Sequence, residues 1–260
     1  MIVLFIFGAV LLLIAVGAFG SMRRARSELH AMIGTQTLPV SELEVLQSAS
    51  REVVPAGAFR HECEVVGAAE PRPDGPLSSQ LTGTPCVWYR YVVTRHYEHV
   101  THQNGRRRVR RGTETLTETN SWESFGMRDD RGQLIGVDPG GTRIDQPQRV
   151  VKEFEPHRPS GPTMFGVQLP NAFGRNGTTG YTYEEWIVEP GRRLYVLGEV
   201  NDRAGSLMIG KPDDGGHFII STRSEQEIRE HRRKRHRALS FAVPAAALGG
   251  LLLIGLGFVA

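Results

Sequence analysis

Apolar residues cluster at the two ends of this chain and alternate with polar ones between them. Met1 to Gly20 contains no charged side chain, and neither does Ala238 to Ala260. At about 1.5 Å per residue such helices would span roughly 30 and 34 Å, the thickness of a bilayer's hydrocarbon core. The pattern predicts a transmembrane helix over 1–21, a juxtamembrane helix and a short helix over 22–50, and a β-rich domain over 51–223. A basic juxtamembrane helix over 224–237 and a second transmembrane helix over 238–260 complete the layout. The expected fold class is a membrane protein with two transmembrane helices flanking a β-rich α+β cytoplasmic domain.

Inside the central segment the period falls to two. From Cys86 to His99, Val87, Tyr89, Tyr91, Val93 and Tyr97 share one face, while Arg90, Thr94, His96 and Glu98 take the other. Asn104-Gly105 is a hairpin turn signal, and the returning strand from Arg106 to about Thr119 is Thr-rich and polar, so the hairpin reads as an exposed arm. Further strands are predicted over 133–137, 148–154, 181–188, 193–200, 206–209 and 217–221. Turn sequences such as Glu189-Pro190-Gly191 and Asp213-Asp214-Gly215-Gly216 separate them. Ser41-Glu42-Leu43-Glu44 and Ser224-Glu225-Gln226-Glu227 both have capping-box spacing and predict helix starts. Pro156 to Gly180 is rich in Gly, Pro and Asn but carries Met164, Phe165, Val167, Leu169 and Phe173. Packing of this loop onto the sheet is the expectation.

Charge placement predicts the topology. Arg23, Arg24 and Arg26 follow the first apolar run, and Arg229, Arg232, Arg233, Lys234, Arg235 and Arg237 precede the second. Basic residues near a span stay on the cytoplasmic side, so the central domain is expected in the cytoplasm with both termini outside. The preference for Arg over Lys suits a GC-rich prokaryotic genome, which makes the expected membrane a bacterial inner membrane. A cleaved secretory signal, with Ala15 and Ala18 near the cleavage site, is the competing reading of the first run; it lacks the basic n-region.

The formal net charge is +3, with 31 Lys and Arg against 28 Asp and Glu, and only three of the basic residues are Lys. Much of the excess sits beside the apolar runs, and no nucleic-acid partner is expected. Cys63 and Cys86 are the only cysteines; in a cytoplasmic domain they are expected to be reduced, and a disulfide becomes plausible only with inverted topology. No cofactor or metal pattern occurs with its required context. His96-Tyr97-Glu98 and Pro85-Cys86 resemble parts of a zinc deaminase signature in reversed order and without its second cysteine.

Two basic clusters are the candidate contacts for membrane lipids or an unidentified protein partner. Arg232, Arg233, Lys234 and Arg235 lie beside the second apolar run. Arg106, Arg107 and Arg108, with Arg110 and Arg111, lie at the tip of the hairpin. In the second run Ala242, Ala246 and Gly250 form a small-residue stripe through which the first helix or a second copy could pack, giving a homo-oligomer.

Several segments, in order, carry a resemblance. These are the Gly67 loop leading to Pro76-Leu77-Ser78-Ser79, Cys86-Val87-Trp88-Tyr89, Trp122 with Phe125, Asp130-x-Gly132 and Val137-Asp138-Pro139. Glu189-Pro190-Gly191, Leu194-Tyr195-Val196-Leu197-Gly198-Glu199 and Gly216-His217-Phe218-Ile219-Ile220-Ser221 follow. Together, between two spans, they resemble the Mulan/GIDE family, whose best-known members are E3 ubiquitin ligases of mitochondrial and chloroplast outer membranes. The resemblance implies a two-anchor layout and ubiquitin transfer through a C-terminal RING, whose eight Cys and His ligands hold two zinc ions. Two cysteines in all do not make that module, so the expectation is a prokaryotic-like form without the RING. Its expected role is a membrane-tethered interaction or sensing module rather than a ligase, with a membrane-perturbing effector as a further alternative.

Overall fold

The computed structural model describes the backbone of residues 2–103, 106–158, 165 and 177–259. Side chains are described for these except at 2–5, 22, 24–34, 102, 103, 106, 225, 228, 229, 231–239, 243 and 256–259. The chain forms two compact units: residues 37–223, and the terminal segments 1–36 with 224–260.

The larger unit is β-rich. Its strands are β1 (Arg60–Glu70), β2 (Leu77–Ser78), β3 (Pro85–Cys86), β4 (Trp88–Gln103), β5 (Arg106–Asn120) and β6 (Phe125–Asp129). There follow β7 (Leu134–Val137), β8 (Gln148–Pro156), β9 (Thr178–Val188), β10 (Arg193–Asn201), β11 (Met208–Gly210) and β12 (Ile219–Ser221). Every strand foreseen after the hairpin forms within a few residues of its expected place. The signal missed was β6, a short strand lying between Trp122 and the Asp129 turn.

Five strands close on themselves in the order β1–β6–β7–β11–β10 and back to β1, with only the β7–β11 pairing parallel. β12 continues the edge of β10 that β11 occupies. Closure removes exposed edges, and it requires strands to approach closely where they cross. Glycine makes that possible: a Cβ on Gly67 would collide with the Arg128 carbonyl oxygen, and one on Gly198 would stand 2.5 Å from that of Gly210. The interior is filled by Cys63, Val65, Met127, Ile135, Val137, Val196 and Ile209, all essentially inaccessible.

The helix α2 (Val40–Ser50) contributes Val40 and Leu43 to the same core. The expected grouping placed this helix with the juxtamembrane segment, outside a domain beginning at 51; it packs instead as part of the unit that begins at Thr37. Its start also departs from expectation. The N-cap position is Pro39, with no side-chain cap, so the Ser41 capping box does not form. Asp129 Oδ2 accepts from the Val40 backbone N–H instead, at 2.9 Å. At the other end of the helix Gln47 Nε2 donates to the buried Asp202 carboxylate at 3.0 Å.

The second sheet is antiparallel, in the order β5–β4–β9–β8. Trp88 and Val188 at its root lie in the barrel core, which fuses the two layers. Leu81, Val93, Tyr181 and Tyr183 form its own small core, and Phe165 packs against it with its ring 5.5 Å from that of Tyr183. That contact follows the packing expected for the Pro156–Gly180 loop; Met164, Val167, Leu169 and Phe173 fall outside the described residues.

In the terminal unit, α1 spans Ile2–Gly34 and α3 spans Glu225–Val259. The Ser224 capping box forms as expected: Glu227 N–H donates to Ser224 Oγ, and Ser224 N–H donates to the Glu227 carboxylate at 2.9 Å. Among the described residues no helix is long and apolar enough to cross a membrane.

Candidate interaction surfaces

The long hairpin outruns its sheet. β4 pairs with β9 only as far as Tyr97 opposite Thr178, where Glu98 N–H donates to the Gly177 carbonyl at 2.7 Å. Beyond that, among the described residues, His99–Gln103 pairs only with Arg106–Arg110, as a two-stranded ribbon. The Asn104-Gly105 turn lies outside the described residues.

Register divides the arginines between the faces. Arg110, Arg108 and Arg106 stand opposite His99, Thr101 and Gln103 on one face; Arg111, Val109 and Arg107 stand opposite Glu98, Val100 and His102 on the other. Arg107, Arg108 and Arg110 are exposed. The side chain of Arg106 is outside the described set. Arg111 pairs with Glu98 at 2.7 Å. Sequence reasoning treated the arginines as one cluster and passed over Val100 and Val109, which sit directly opposite each other and are 39% and 42% exposed. The missed signal was a pair of β-branched residues equidistant from the turn.

The base of the arm is rigidly built. Arg95 is 5% exposed; its Nε donates to Thr178 Oγ1 at 2.8 Å, one Nη pairs with Glu114 at 3.0 Å, and the guanidinium covers the Tyr97 ring. Nearby, Tyr183 donates its hydroxyl hydrogen bond to Glu155 at 3.0 Å; burial, then this bond, push the phenol's pKa upward. The fully buried Glu185 accepts from Ser79 Oγ, Leu81 N–H, Thr82 N–H and Thr82 Oγ1, tying the β2–β3 loop to the sheet. These charges are hydrogen-bonded as burial demands, and they stiffen the root of the arm.

His96 bonds Thr182 Oγ1 at 2.7 Å through Nε2, while His99 projects from the other face. Among the described residues no group of three or more His, Cys, Asp or Glu could hold a metal ion. Cys63 and Cys86 are free and buried. Burial, followed by the charge of Glu64, pushes the Cys63 thiol up to about 12, and burial with Glu185 and Glu123 does the same for Cys86.

In the terminal unit α1 and α3 pack antiparallel. A Cβ on Gly8 would stand 2.9 Å from the Gly250 carbonyl oxygen, and one on Gly250 would stand 3.0 Å from that of Gly8. Of the expected small-residue stripe, Gly250 is buried, Ala246 half-buried and Ala242 exposed, so its deepest member faces α1. Arg232, Arg233, Lys234 and Arg235 lie on α3, and their side chains are outside the described set.

No curated protein and no solved structure matches the chain. A family model does, over residues 96–255, and its description reads "GIDE: E3 Ubiquitin ligase". The matched stretch takes in the arm, the sheet behind it, most of the barrel and most of α3. Covering more than half of the sequence, it shows that this chain belongs to the GIDE family.

Proposed function

We propose that this chain is a membrane-tethered interaction module that engages anionic lipid surfaces through its arginine-bearing arm. The observation that carries the reading is the ribbon itself, a stiffly rooted two-stranded arm with exposed Arg107 beside the Val100–Val109 pair on one face and exposed Arg108 and Arg110 on the other. Arginine beside an exposed apolar pair suits a headgroup layer, where charge meets phosphate and apolar side chains meet the acyl boundary. The uncharged runs Met1–Gly20 and Ala238–Ala260 support anchoring by α1 and α3. Their close approach at Gly8 and Gly250 supports it too, because small residues are how helices associate in lipid. The flanking arginines favour an inner-membrane protein with its β-domain in the cytoplasm.

The test is retention of separate vesicles by the full chain held in neutral nanodiscs. Phosphatidylserine-containing vesicles should be retained and phosphatidylcholine vesicles released. The Arg107→Gln, Arg108→Gln, Arg110→Gln variant should weaken retention roughly a hundredfold, at ~1 kcal/mol for each cation near the surface. Equal retention of both vesicle types, or none of either, would overturn the reading.

Ubiquitin transfer is the second reading, favoured by the description of the matched family. The two cysteines are buried in the β-domain, so a RING serving this chain would draw its zinc ligands from elsewhere. Conjugate formation by the purified chain with ubiquitin, activating enzyme and conjugating enzyme alone would establish it.

A further inference from the structure

A groove of about 490 Å³ opens on the outer wall of the β-domain, between α2, the Pro71–Asp74 turn and strands β6 and β7. Its origin is a cross-strand pair of glycines. Gly126 and Gly136 are register partners in β6 and β7, and both line the groove where two side chains would otherwise stand. The apolar surface left accessible beside them is Leu134, 51% exposed, and the half-buried Met208, while the side chains of Phe125, Ile135 and Leu207, which also border the groove, are buried.

One wall carries Arg72. It is half-buried, its Nε is shielded from solvent, and that N–H has no hydrogen-bond partner among the described residues. No carboxylate pairs with its guanidinium within 4.0 Å among them either. Pro71 and Pro73 flank it and fix the backbone, and Gly75 N–H closes the turn onto the Arg72 carbonyl at 2.9 Å. A stiffly presented cation that is partly desolvated and unpaired is costly unless something completes it. Glu44 and Asp74 also line the groove, but both are exposed, where solvent screens them. Arg72 is therefore the charge that selects.

The geometry points to a ligand site for a small amphipathic carboxylate, its apolar part on Leu134 and Met208 and its carboxylate on Arg72. A planar guanidinium matches a carboxylate with two parallel hydrogen bonds, and the volume fits a compact aryl or acyl acid. The site stands apart from the arm and needs no membrane contact.

The probe is 4-phenylbutyrate, titrated onto the full chain in neutral nanodiscs with methionine methyls labelled by ¹³C. Met208 lines the groove and Met127 is sealed in the barrel core, so one reports binding and the other reports an intact fold. The Met208 resonance should move saturably while Met127 holds still. 4-Phenylbutylamine and 4-phenylbutanol should bind at least tenfold more weakly. Arg72→Gln should lose the carboxylate preference, and Arg72→Lys should retain part of it. Equal affinity for acid and amine, an unaltered affinity in Arg72→Gln with Met127 unmoved, or a stationary Met208 would overturn the proposal. Should Arg72→Gln disturb Met127, the selectivity of the unaltered chain and of Arg72→Lys decides.

Discussion

The carboxylate of Asp129, at the end of β6, accepts a hydrogen bond from the backbone N–H of Val40, the first residue of a helix 89 positions earlier in the chain. Its other oxygen accepts from the N–H groups of Arg131 and Gln133, shaping the β6–β7 turn. One side chain therefore caps a helix and closes a hairpin. Asp129→Ala removes the cap and leaves three backbone donors unmatched, the Val40 N–H buried and those of Arg131 and Gln133 partly so. A loss of about 2–3 kcal/mol is expected, more than an ordinary cap deletion. Chemical denaturation followed by near-ultraviolet circular dichroism measures it; a loss below about 0.5 kcal/mol would mean that water replaces the cap.

Asp202 holds the other end of the same helix and predicts a dependence on pH. Burial raises its carboxyl pKa. Hydrogen bonds from Gln47 and the N–H groups of Gly57 and Phe59, with the charge of Arg51, more than reverse that, so the net shift is downward. A carboxyl with a lowered folded pKa contributes stability above its unfolded pKa, and the contribution fades as pH falls through the folded value. The chain should therefore lose stability below about pH 4. Asp202→Asn should be less stable at pH 7 and should show a shallower acid slope. Identical acid slopes for the two proteins would remove Asp202 from the account.

The two thiols should be silent. Cys63 is 1% exposed and Cys86 fully buried, and both titrate far above neutrality for reasons of burial. Because the thiolate is the nucleophile, only on the order of one in ten thousand would be reactive at pH 8 even if reached. A maleimide gel-shift assay should leave the native chain unlabelled and add two labels after denaturation. Labelling of the native chain at either cysteine would show that the barrel or the β2–β3 loop opens.

Gly8 and Gly250 predict how the terminal helices respond to bulk. Gly8→Leu places a side chain where a single Cβ already meets the Gly250 carbonyl and Ile254. The helices must then separate or rotate. Spin labels at the exposed positions Leu13 and Leu248 should move apart by at least about 2 Å, given the 8–10 Å axial spacing of packed helices. An unchanged distance would place the close approach outside the association of these helices.

Much of the fold was legible along the chain because local rules decide it. Alternation of Val87, Tyr89, Tyr91 and Val93, bounded by turn residues, makes a strand whatever its neighbours are, and the Ser224–Glu227 capping box joins residues three apart. The same spacing at Ser41 failed. Pro39 and the distant Asp129 already supply that helix start, and nothing near Ser41 in sequence announces Asp129. The candidate site divided in the same way. A basic hairpin was readable from composition, but the sorting of its arginines by face required the β4–β5 register, and the Val100–Val109 pair emerged only from it.

By itself, then, the sequence determined the elements, the punctuation between them and the placement of apolar and basic runs, because these depend on backbone preferences and on partitioning between water and apolar surroundings. Tertiary structure decided the closure of the barrel through β1 and β10, the capture of α2 by Asp129 and Asp202, and the groove beside Arg72. Each of these needs residues tens of positions apart to share one small volume. Which of them do so is settled by packing and by pairing buried polar groups across the whole unit.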